Sequence, residues 1–410
     1  MINVAKIRED FPMLNQNKQM QNHPLVYLDS AATSLKPQTV INAEIDYYQN
    51  YSVNAHRGDY DLAHQVDTMI NETREAVADF INGTPEEIVF TSGTTASINL
   101  VAFGYGMKFL TSEDEILLTQ AEHASNVLPW FKVAEITGAK INYIPLDESG
   151  KLTAENLRKA ISKKTKIVAV AHVTNVLGYV VDIKEIASIC HEFGALIVVD
   201  GAQSVPHMPI DVRDTDIDFL SFSGHKMLGP TGIGVLYGKY SLLQITDPFM
   251  TGGGQTAKFD MCGDVNFLAP PIKFEAGTPH MAGIAGLKAA IDYLNAIGMD
   301  NIYAYEKELR IYAMEKLAKL DNLTIYNPDA DGGIISFNVN GVFAQDVASY
   351  FNSRGICVRS GQHCAQILIE YLNTVSTVRA SLYFYNTKED VDAFVEACQE
   401  AGNFLDAYFG

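Results

Sequence analysis

The chain is 410 residues long, 47% hydrophobic and 19% charged, with a net charge of −19 at pH 7. That length exceeds one ordinary core, so two domains are expected, and the composition is that of a folded globular protein and not a disordered one. The acidic balance excludes nucleic acid and anionic membrane as main partners, and no apolar run approaches the ~18–20 residues of a membrane-spanning helix.

The start, Met1-Ile2-Asn3-Val4-Ala5-Lys6-Ile7-Arg8-Glu9-Asp10, lacks a basic stretch followed by an apolar core, so no signal peptide is read. The five cysteines, Cys190, Cys262, Cys357, Cys364 and Cys398, are odd in number and scattered without a C-x-x-C pair. Neither a disulfide framework nor a metal site is expected, and a reducing cytoplasm is the expected location.

Short β-branched runs then alternate with helix-length segments. Strands are predicted at 87–91, 115–119, 166–171, 195–200, 219–222 and 233–237. That spacing implies an α/β fold with a mostly parallel sheet covered on both faces. Five polar clusters follow strands: Ser92-Gly93-Thr94-Thr95, Glu122-His123, residues 172–175, residues 200–203 and Ser223-Gly224-His225-Lys226. Ligands of open α/β sheets sit beyond the carboxyl ends of the strands, so these clusters are expected to converge on one crevice.

From about Pro279 the pattern changes. A long helical stretch at 285–320 is followed by a strand at 333–339, a helix near 345–353, a strand at 356–359, a run at 377–385 and a final helix from about Lys388. Few strands with segregated helices predict a smaller α+β domain. The expected organisation is a segment at 1–25 packing on the small domain, a large domain at 26–285 and a small C-terminal domain at 286–410 that carries the Cys364 loop.

Within the large domain the clusters match the needs of pyridoxal phosphate (PLP). Ser92-Gly93-Thr94-Thr95 opens a helix whose free N–H groups suit a phosphate, and Ser223 and His225 add donors. Asp200 would face the pyridine nitrogen, Gln203 the phenolic oxygen and His123 the ring face. Lys226 would carry the cofactor, since a lysine with an aspartate partner is the recurring protein contribution to PLP sites. Taken singly, Asp200 also reads as a helix cap, His123 as a structural histidine and Lys226 as an exposed lysine. The joint order at successive strand ends is far more specific.

At these residues the chain resembles the class V aminotransferase superfamily of fold-type I PLP enzymes, and within it the SufS/CsdA (type II) cysteine desulfurases. The resemblance spans nearly the whole chain. It includes Asp29-Ser30-Ala31-Ala32-Thr33-Ser34, Asn54-Ala55-His56-Arg57-Gly58, His172-Val173-Thr174-Asn175, Phe274-Glu275-Ala276-Gly277-Thr278-Pro279, Arg359-Ser360-Gly361-Gln362-His363-Cys364-Ala365 and Arg379-Ala380-Ser381. It implies an aspartate aminotransferase-like large domain, with Lys226 bearing PLP and Asp200, Gln203 and His123 holding its ring. Thr94, Thr95, Ser223 and His225 would hold the phosphate. Thr278 would reach the phosphate of a neighbouring subunit, giving a homodimer with shared active sites. Asn175 and Arg379 would bind the substrate carboxylate, with Arg359, the Ala31 backbone and His56 nearby.

The implied reaction turns L-cysteine into L-alanine. Lys226 moves the Cα proton, the Cys364 thiolate takes the sulfur as a persulfide, and His123 serves as a proton donor. The sulfur would pass to an acceptor protein for iron–sulfur cluster assembly. His363 is not assigned as the base, because neighbours in an extended loop point to opposite sides. Gln362 stands where a second histidine commonly precedes His-Cys, and the run after Cys364, Ala365-Gln366-Ile367-Leu368, lacks the usual proline. Residues 340–345 contain no histidine, which favours a SufE-like acceptor over a zinc-bound SufU-like one. Alternative readings are selenocysteine lysis, cysteine sulfinate cleavage or β-elimination on the same scaffold, or a sulfur-relay scaffold with little free catalysis.

Overall fold

Six β-branched or leucine-rich runs and one mixed run build a central sheet. In chain order they are β1 (Ile88–Thr91), β2 (Glu115–Thr119), β3 (Lys140–Ile144), β4 (Thr165–Ala171), β5 (Leu196–Asp200), β6 (Phe219–Ser223) and β7 (Gly234–Gly238). The structure, a computed structural model, describes residues 2–15, 18–56, 58–403 and 405. Met1 and Arg57, quoted above, lie outside the described residues. The spatial order is β1-β7-β6-β5-β4-β2-β3. Strand β7 runs antiparallel to both neighbours, and every other pairing is parallel. Strand β3 was not predicted: it is an edge strand with mostly exposed side chains, so it carries no apolar run.

Successive residues of the inner strands feed two cores. Leu117, Val168, Ile197 and Leu220 belong to one, and Ile116, Ile167, Val198 and Phe219 to the other, as period-two alternation requires. Both cores are dry, which is why these strands read as unbroken apolar runs. Helices Gln38–Asn50, Asp61–Phe80 and Met281–Ile297 cover the first, and Thr94–Val101 and Leu128–Thr137 the second. Because β7 reverses, β1 points the same way as β6. Strands β1, β2, β4, β5 and β6 therefore all end on one edge.

A second sheet is antiparallel throughout. Its strands are β8 (Leu323–Ile325), β9 (Ile334–Val339), β10 (Arg359–Gly361) and β11 (Thr377–Ser381), in the order β8-β9-β11-β10. Phe337, Phe351 and Phe394 form its aromatic centre, with ring centroids 5.6–6.2 Å apart. The helical stretch expected at 285–320 is two helices, Met281–Ile297 and Met299–Leu317. Gly298 between them sits at φ +89°, a left-handed conformation that ends one helix and suits glycine.

Polar threads tie the second sheet to the first. Asn327 donates to Leu177 O at 2.7 Å and Ser336 to Val176 O at 2.5 Å, both in the loop after β4. Phe11 is fully buried in edge contact with Tyr293, Phe384 and Tyr385. Arg8 donates to Tyr385 O at 2.8 Å and pairs with Asp390 at 2.9 Å. Among the described residues no helix is long and apolar enough to cross a membrane.

One buried ion pair locks helix Asp61–Phe80 to the loop at 275–279. Arg74 holds Glu275 through two parallel bonds of 2.8 Å and donates to Ile88 O, while Phe90 N donates to Glu275 at 2.8 Å. Removing one member of such a pair strands a buried charge. Arg74→Met is expected to destabilise the fold by about 3–5 kcal/mol, read as a lower urea midpoint from the fluorescence of Trp130, the single tryptophan. Adding Glu275→Gln should recover much of that loss, and a change below about 1 kcal/mol in the single variant would contradict the assignment.

Candidate active site

A cavity of about 300 Å³ opens at the edge where the five strands end. Thr94 and Thr95 reach it from β1, His123 and Ser125 from β2, and Asn175 from β4. Asp200 and Gln203 reach it from β5, and Ser223, His225 and Lys226 from β6. Ala31 lines it from the N-terminal segment, and Arg359, His363, Cys364 and Arg379 close it from the second sheet. Two residues named from the sequence are not brought in. His56 is exposed and pairs with Asp67 at 3.3 Å. Thr278 is exposed and does not line the cavity.

One end of the cavity is built for an anion. Helix Thr94–Val101 begins there, and its N-cap, Gly93, brings no capping side chain, so its positive end faces the cavity. Gly93 precedes it at φ +144°, and a β-carbon on Gly234 would fall 2.4 Å from Gly93 Cα. Only glycine permits both the turn and the approach of β7. Ser223 Oγ accepts from Thr94 N at 2.8 Å and meets Thr94 Oγ1 at 2.8 Å. Thr95 Oγ1 meets Ser125 Oγ at 2.7 Å. These hydroxyls partner one another across three strand ends.

The other end gathers charge in a dry setting. Burial pushes the Lys226 amine down to about 8, with Asp200 opposing and Arg379 reinforcing the shift. Burial pushes the Asp200 carboxyl up, and Lys226 opposes that shift. One Asp200 oxygen accepts from Ala202 N at 2.9 Å, a cap-like bond, and the other has no protein partner among the described residues. Burial, aided by Lys226 and Arg379, lowers His123 to about 4. Its Nδ1 accepts from Ser125 N at 3.1 Å, so the neutral ring carries its proton on Nε2.

Several buried polar atoms here lack a partner among the described residues. They are Asn175 Oδ1, Gln203 Oε1, His363 Nδ1 and Arg379 Nε, all on side chains that line the cavity. Native interiors rarely leave such atoms unpaired, so their clustering marks a ligand surface. Gln203 Nε2 is held by Ala31 O at 2.7 Å and Asn175 Nδ2 by His363 O at 2.8 Å. Their free oxygens are thereby fixed in place. The donor set fits PLP, with a helix N-terminus and hydroxyls for phosphate, a carboxylate opposite an amine, and a neutral histidine.

Cys364 is exposed and lies between β10 and the short helix Gln366–Tyr371. The loop is not extended, contrary to expectation: His363 and Cys364 have φ of +52° and +55°. These consecutive left-handed residues fold the chain back. Cys364 O accepts from Ala124 N at 2.7 Å, which pins the thiol's backbone to the His123 turn. His363 is held by its Nε2, which lies against Thr377 Oγ1 at 2.9 Å and Thr377 O at 3.1 Å. Burial and Arg379 lower it to about 3.

The sequence reading missed four contributors. Ser125 lines the cavity. Glu122 is buried with its carboxyl pushed up to about 7, and accepts from Thr119 at 2.6 Å and Asn126 at 2.8 Å. Lys36, lowered to about 8 by burial, donates at 2.8 Å to the carbonyl of His225, which also receives Ser34 N and Thr33 Oγ1 at 3.0 Å. Asp29 pairs with both Arg359 and Arg379. All four lie in or beside quoted motifs, but nothing in a one-dimensional pattern reveals which partner each meets. Among the described residues no group of three or more His, Cys, Asp or Glu is placed to hold a metal ion.

The aminotransferase class-V family model matches residues 26–394. A probable cysteine desulfurase of Halalkalibacterium halodurans is 47% identical over 409 residues, covering 100% of both chains. The solved structure of the Escherichia coli cysteine desulfurase CsdA, in its S-sulfonic acid form, superposes with a TM-score of 0.91 at 38% identity, over 98% of this chain and 99% of that one. The apo structure of a cysteine desulfurase from Thermococcus onnurineus gives 0.92 at 39% identity, over 98% of each chain.

The low Lys226 value has a direct consequence. The folded chain holds this proton less tightly than the unfolded chain, so stability rises as pH climbs through about 8 toward the ordinary lysine value of ~10.4, and is lost on the way down. With the cavity cleared of any bound aldehyde, acylation of the Lys226 peptide, followed by mass spectrometry, is expected to show a midpoint near pH 8. A midpoint at the ordinary lysine value would contradict this.

Proposed function

The chain belongs to the aminotransferase class-V family, and from that premise we propose that it is a PLP-dependent cysteine desulfurase converting L-cysteine to L-alanine. One observation carries the reading. The Cys364 thiol, the Lys226 amine and the free Arg379 and Asn175 atoms all belong to residues lining one cavity of about 300 Å³. A nucleophile, a base and a carboxylate anchor within one small space are what sulfur abstraction from an amino acid needs.

Bound PLP supplies an electron sink for charge developing at the substrate Cα. The protein does the rest. Arg379 and Asn175 fix the substrate carboxylate, with Arg359 and the Ala31 backbone alongside. Lys226, with a value near 8, moves the Cα proton. Asp200 balances the positive charge opposite it, and Gln203 and His123 hold the ring. Thr94, Thr95, Ser223 and His225 hold the phosphate. The Cys364 thiolate attacks the substrate sulfur; a sulfur–sulfur bond forms as the Cβ–S bond breaks, leaving a persulfide on Cys364. Neutral His123, with its proton on Nε2, precedes Ala124, whose amide pins the Cys364 turn, and it serves as the proton donor as the three-carbon remainder leaves as L-alanine.

The assembly we propose is a homodimer with shared sites. Thr278 is exposed and outside its own cavity, as a residue serving a second copy must be. The nearby hairpin of Thr256–Phe259 and Val265–Phe267 exposes Phe259, Met261, Val265 and Phe267, an apolar surface that a second copy would cover. A groove of about 420 Å³ beside it is lined by Phe90, Leu100, Phe249, Met250 and Phe274. The sulfur acceptor is a second protein, SufE-like by the absence of histidine at 340–345, feeding iron–sulfur cluster assembly in the cytoplasm. His56 is assigned to the substrate side of the partner's cavity on the same argument as Thr278.

Cys364→Ala is expected to lose alanine production from L-cysteine at saturating acceptor by at least ~10²-fold, and wild-type protein incubated with L-cysteine should show a mass gain of one sulfur on the Cys364 peptide. Undiminished alanine release by the variant would sink the persulfide role. L-Selenocysteine turnover that survives Cys364→Ala while cysteine turnover fails would point to selenocysteine lysis. For the dimer, sedimentation at micromolar concentration is expected to give twice the chain mass, with Phe259→Asp/Met261→Asp shifting it toward one chain. An unaltered mass in that variant removes the hairpin from the interface.

A further inference from the structure

Strand β2 ends at Thr119, and the chain then turns through His123. Glu122 sits in that connection and is 3% exposed. Its Oε1 accepts from Thr119 Oγ1 at 2.6 Å and its Oε2 from Asn126 Nδ2 at 2.8 Å. Both of these partners are neutral. A buried carboxylate held by neutral donors is expensive. Burial, with the charge of Asp200 adding to it, raises this one to about 7 against the bonds from Thr119 and Asn126. An apolar side chain would fill the same space without that cost, so the carboxylate has work to do beyond packing.

Asn126 passes this constraint to the turn. Its Oδ1 accepts from Nε1 of the fully buried Trp130 at 3.3 Å, and its backbone N donates to His123 O at 2.7 Å. With Nδ2 on Glu122, the amide cannot flip without losing both side-chain bonds. From the same turn, Ala124 N donates to Cys364 O at 2.7 Å. That bond matters because His363 and Cys364 have φ of +52° and +55°. Such conformations are costly without glycine and persist only where the surroundings over-determine them. Two bonds from strand ends of the first sheet do so: Ala124 N to Cys364 O, and Asn175 Nδ2 to His363 O at 2.8 Å. The first depends on the turn that Glu122 braces.

We propose that Glu122 is a positioning residue for sulfur transfer: by bracing the 123–126 turn through Thr119 and Asn126, it holds Ala124 N where it fixes the Cys364 backbone, and so keeps His123 and the thiol loop in one register. The sulfur chemistry rests on the desulfurase reading above, whereas the mechanical coupling of turn to loop does not. Glu122 does not line the cavity, so it acts through the backbone it braces. Glutamine is the informative replacement. Its oxygen still accepts from Thr119, but its nitrogen sets donor against donor at Asn126 Nδ2. Adding Asn126→Asp restores a donor–acceptor pair there and keeps an acceptor for Trp130 Nε1.

The test uses the full-length holoenzyme. In Glu122→Gln, kcat for alanine release from L-cysteine is expected to fall about tenfold or more, the scale of a small misplacement of a reacting group, with KM changed less than about threefold because Arg379 and Asn175 are untouched. Hydrogen–deuterium exchange, read by mass spectrometry, should quicken about tenfold at 123–127 and also at 362–366, while β5 and β6 exchange as in wild type. Glu122→Gln/Asn126→Asp is expected to recover both rates. Exchange at 362–366 discriminates, because a side chain serving only local stability would loosen the turn and leave the loop of the second sheet unmoved. Unchanged exchange there, or a double variant no better than the single one, overturns the proposal. So does a shift in the visible absorbance of the bound cofactor with exchange at 362–366 unaltered, which would put the action of Glu122 at Asp200 instead. Should Glu122→Gln not fold, Thr119→Val, which withdraws one of the two donors, decides by the same exchange: faster at 362–366 supports the proposal and unchanged overturns it. Wild-type holoenzyme that released no alanine from L-cysteine would remove the desulfurase reading, whereas the exchange rates judge Glu122 independently.

Discussion

A lysine amine and an aspartate carboxyl, both taken out of water at the ends of adjacent parallel strands, set the terms for the cavity. Asp200 ends β5 and Lys226 lies just beyond β6. Burial drives each toward its neutral form, and each opposes the shift of the other. Neither is comfortable alone, since an isolated buried charge is severely penalised. The pair persists because the sheet holds it: β5 and β6 are parallel neighbours in fixed register, with Asp200 opposite Ser221. An amine near 8 is partly neutral close to physiological pH, the condition that a nucleophile or base requires.

The second sheet repeats this arrangement with an arginine in place of the lysine. Arg379 is buried and lowered to about 10 by loss of water, with Asp29 the main opposing influence. Arg359 is held up chiefly by its bonds to Asp29. Asp29 comes from the segment before the large sheet, while its partners come from strands more than 300 residues later. The cavity is thus a junction at which a carboxylate before the large sheet neutralises charges on the second sheet. The carbonyl of His225, gripped by Thr33, Ser34 and Lys36, belongs to the same junction and steadies the backbone next to Lys226.

Much of this was legible in one dimension, and the reasons are local. Strands β1, β2, β4, β5, β6 and β7 announce themselves because both faces are dry, so the chain shows unbroken apolar runs. Edge strand β3 was missed because its side chains face water. The break at Gly298 was missed because surrounding helix-forming residues outweigh one glycine, even one at φ +89°. Lys226, Asp200, Gln203 and the threonines were readable because each follows a predicted strand end. Asp29, Lys36 and Glu122 were not, because their meaning lies in partners far away in sequence or in burial that pattern does not report. The Cys364 loop was misread in shape, since two consecutive left-handed residues carry no glycine to signal them.

The sequence by itself determined the fold class and the cofactor chemistry, because periodicity, strand-end clusters and residue types are local properties. Tertiary structure alone decided the balance of charge. Whether an arginine is free or already gripped, whether a histidine is neutral, and which residues of one chain lie outside their own cavity all depend on what folding brings near and what it strips of water. Coulomb energies and desolvation fall off over a few ångströms in space, and no spacing along the chain encodes those distances.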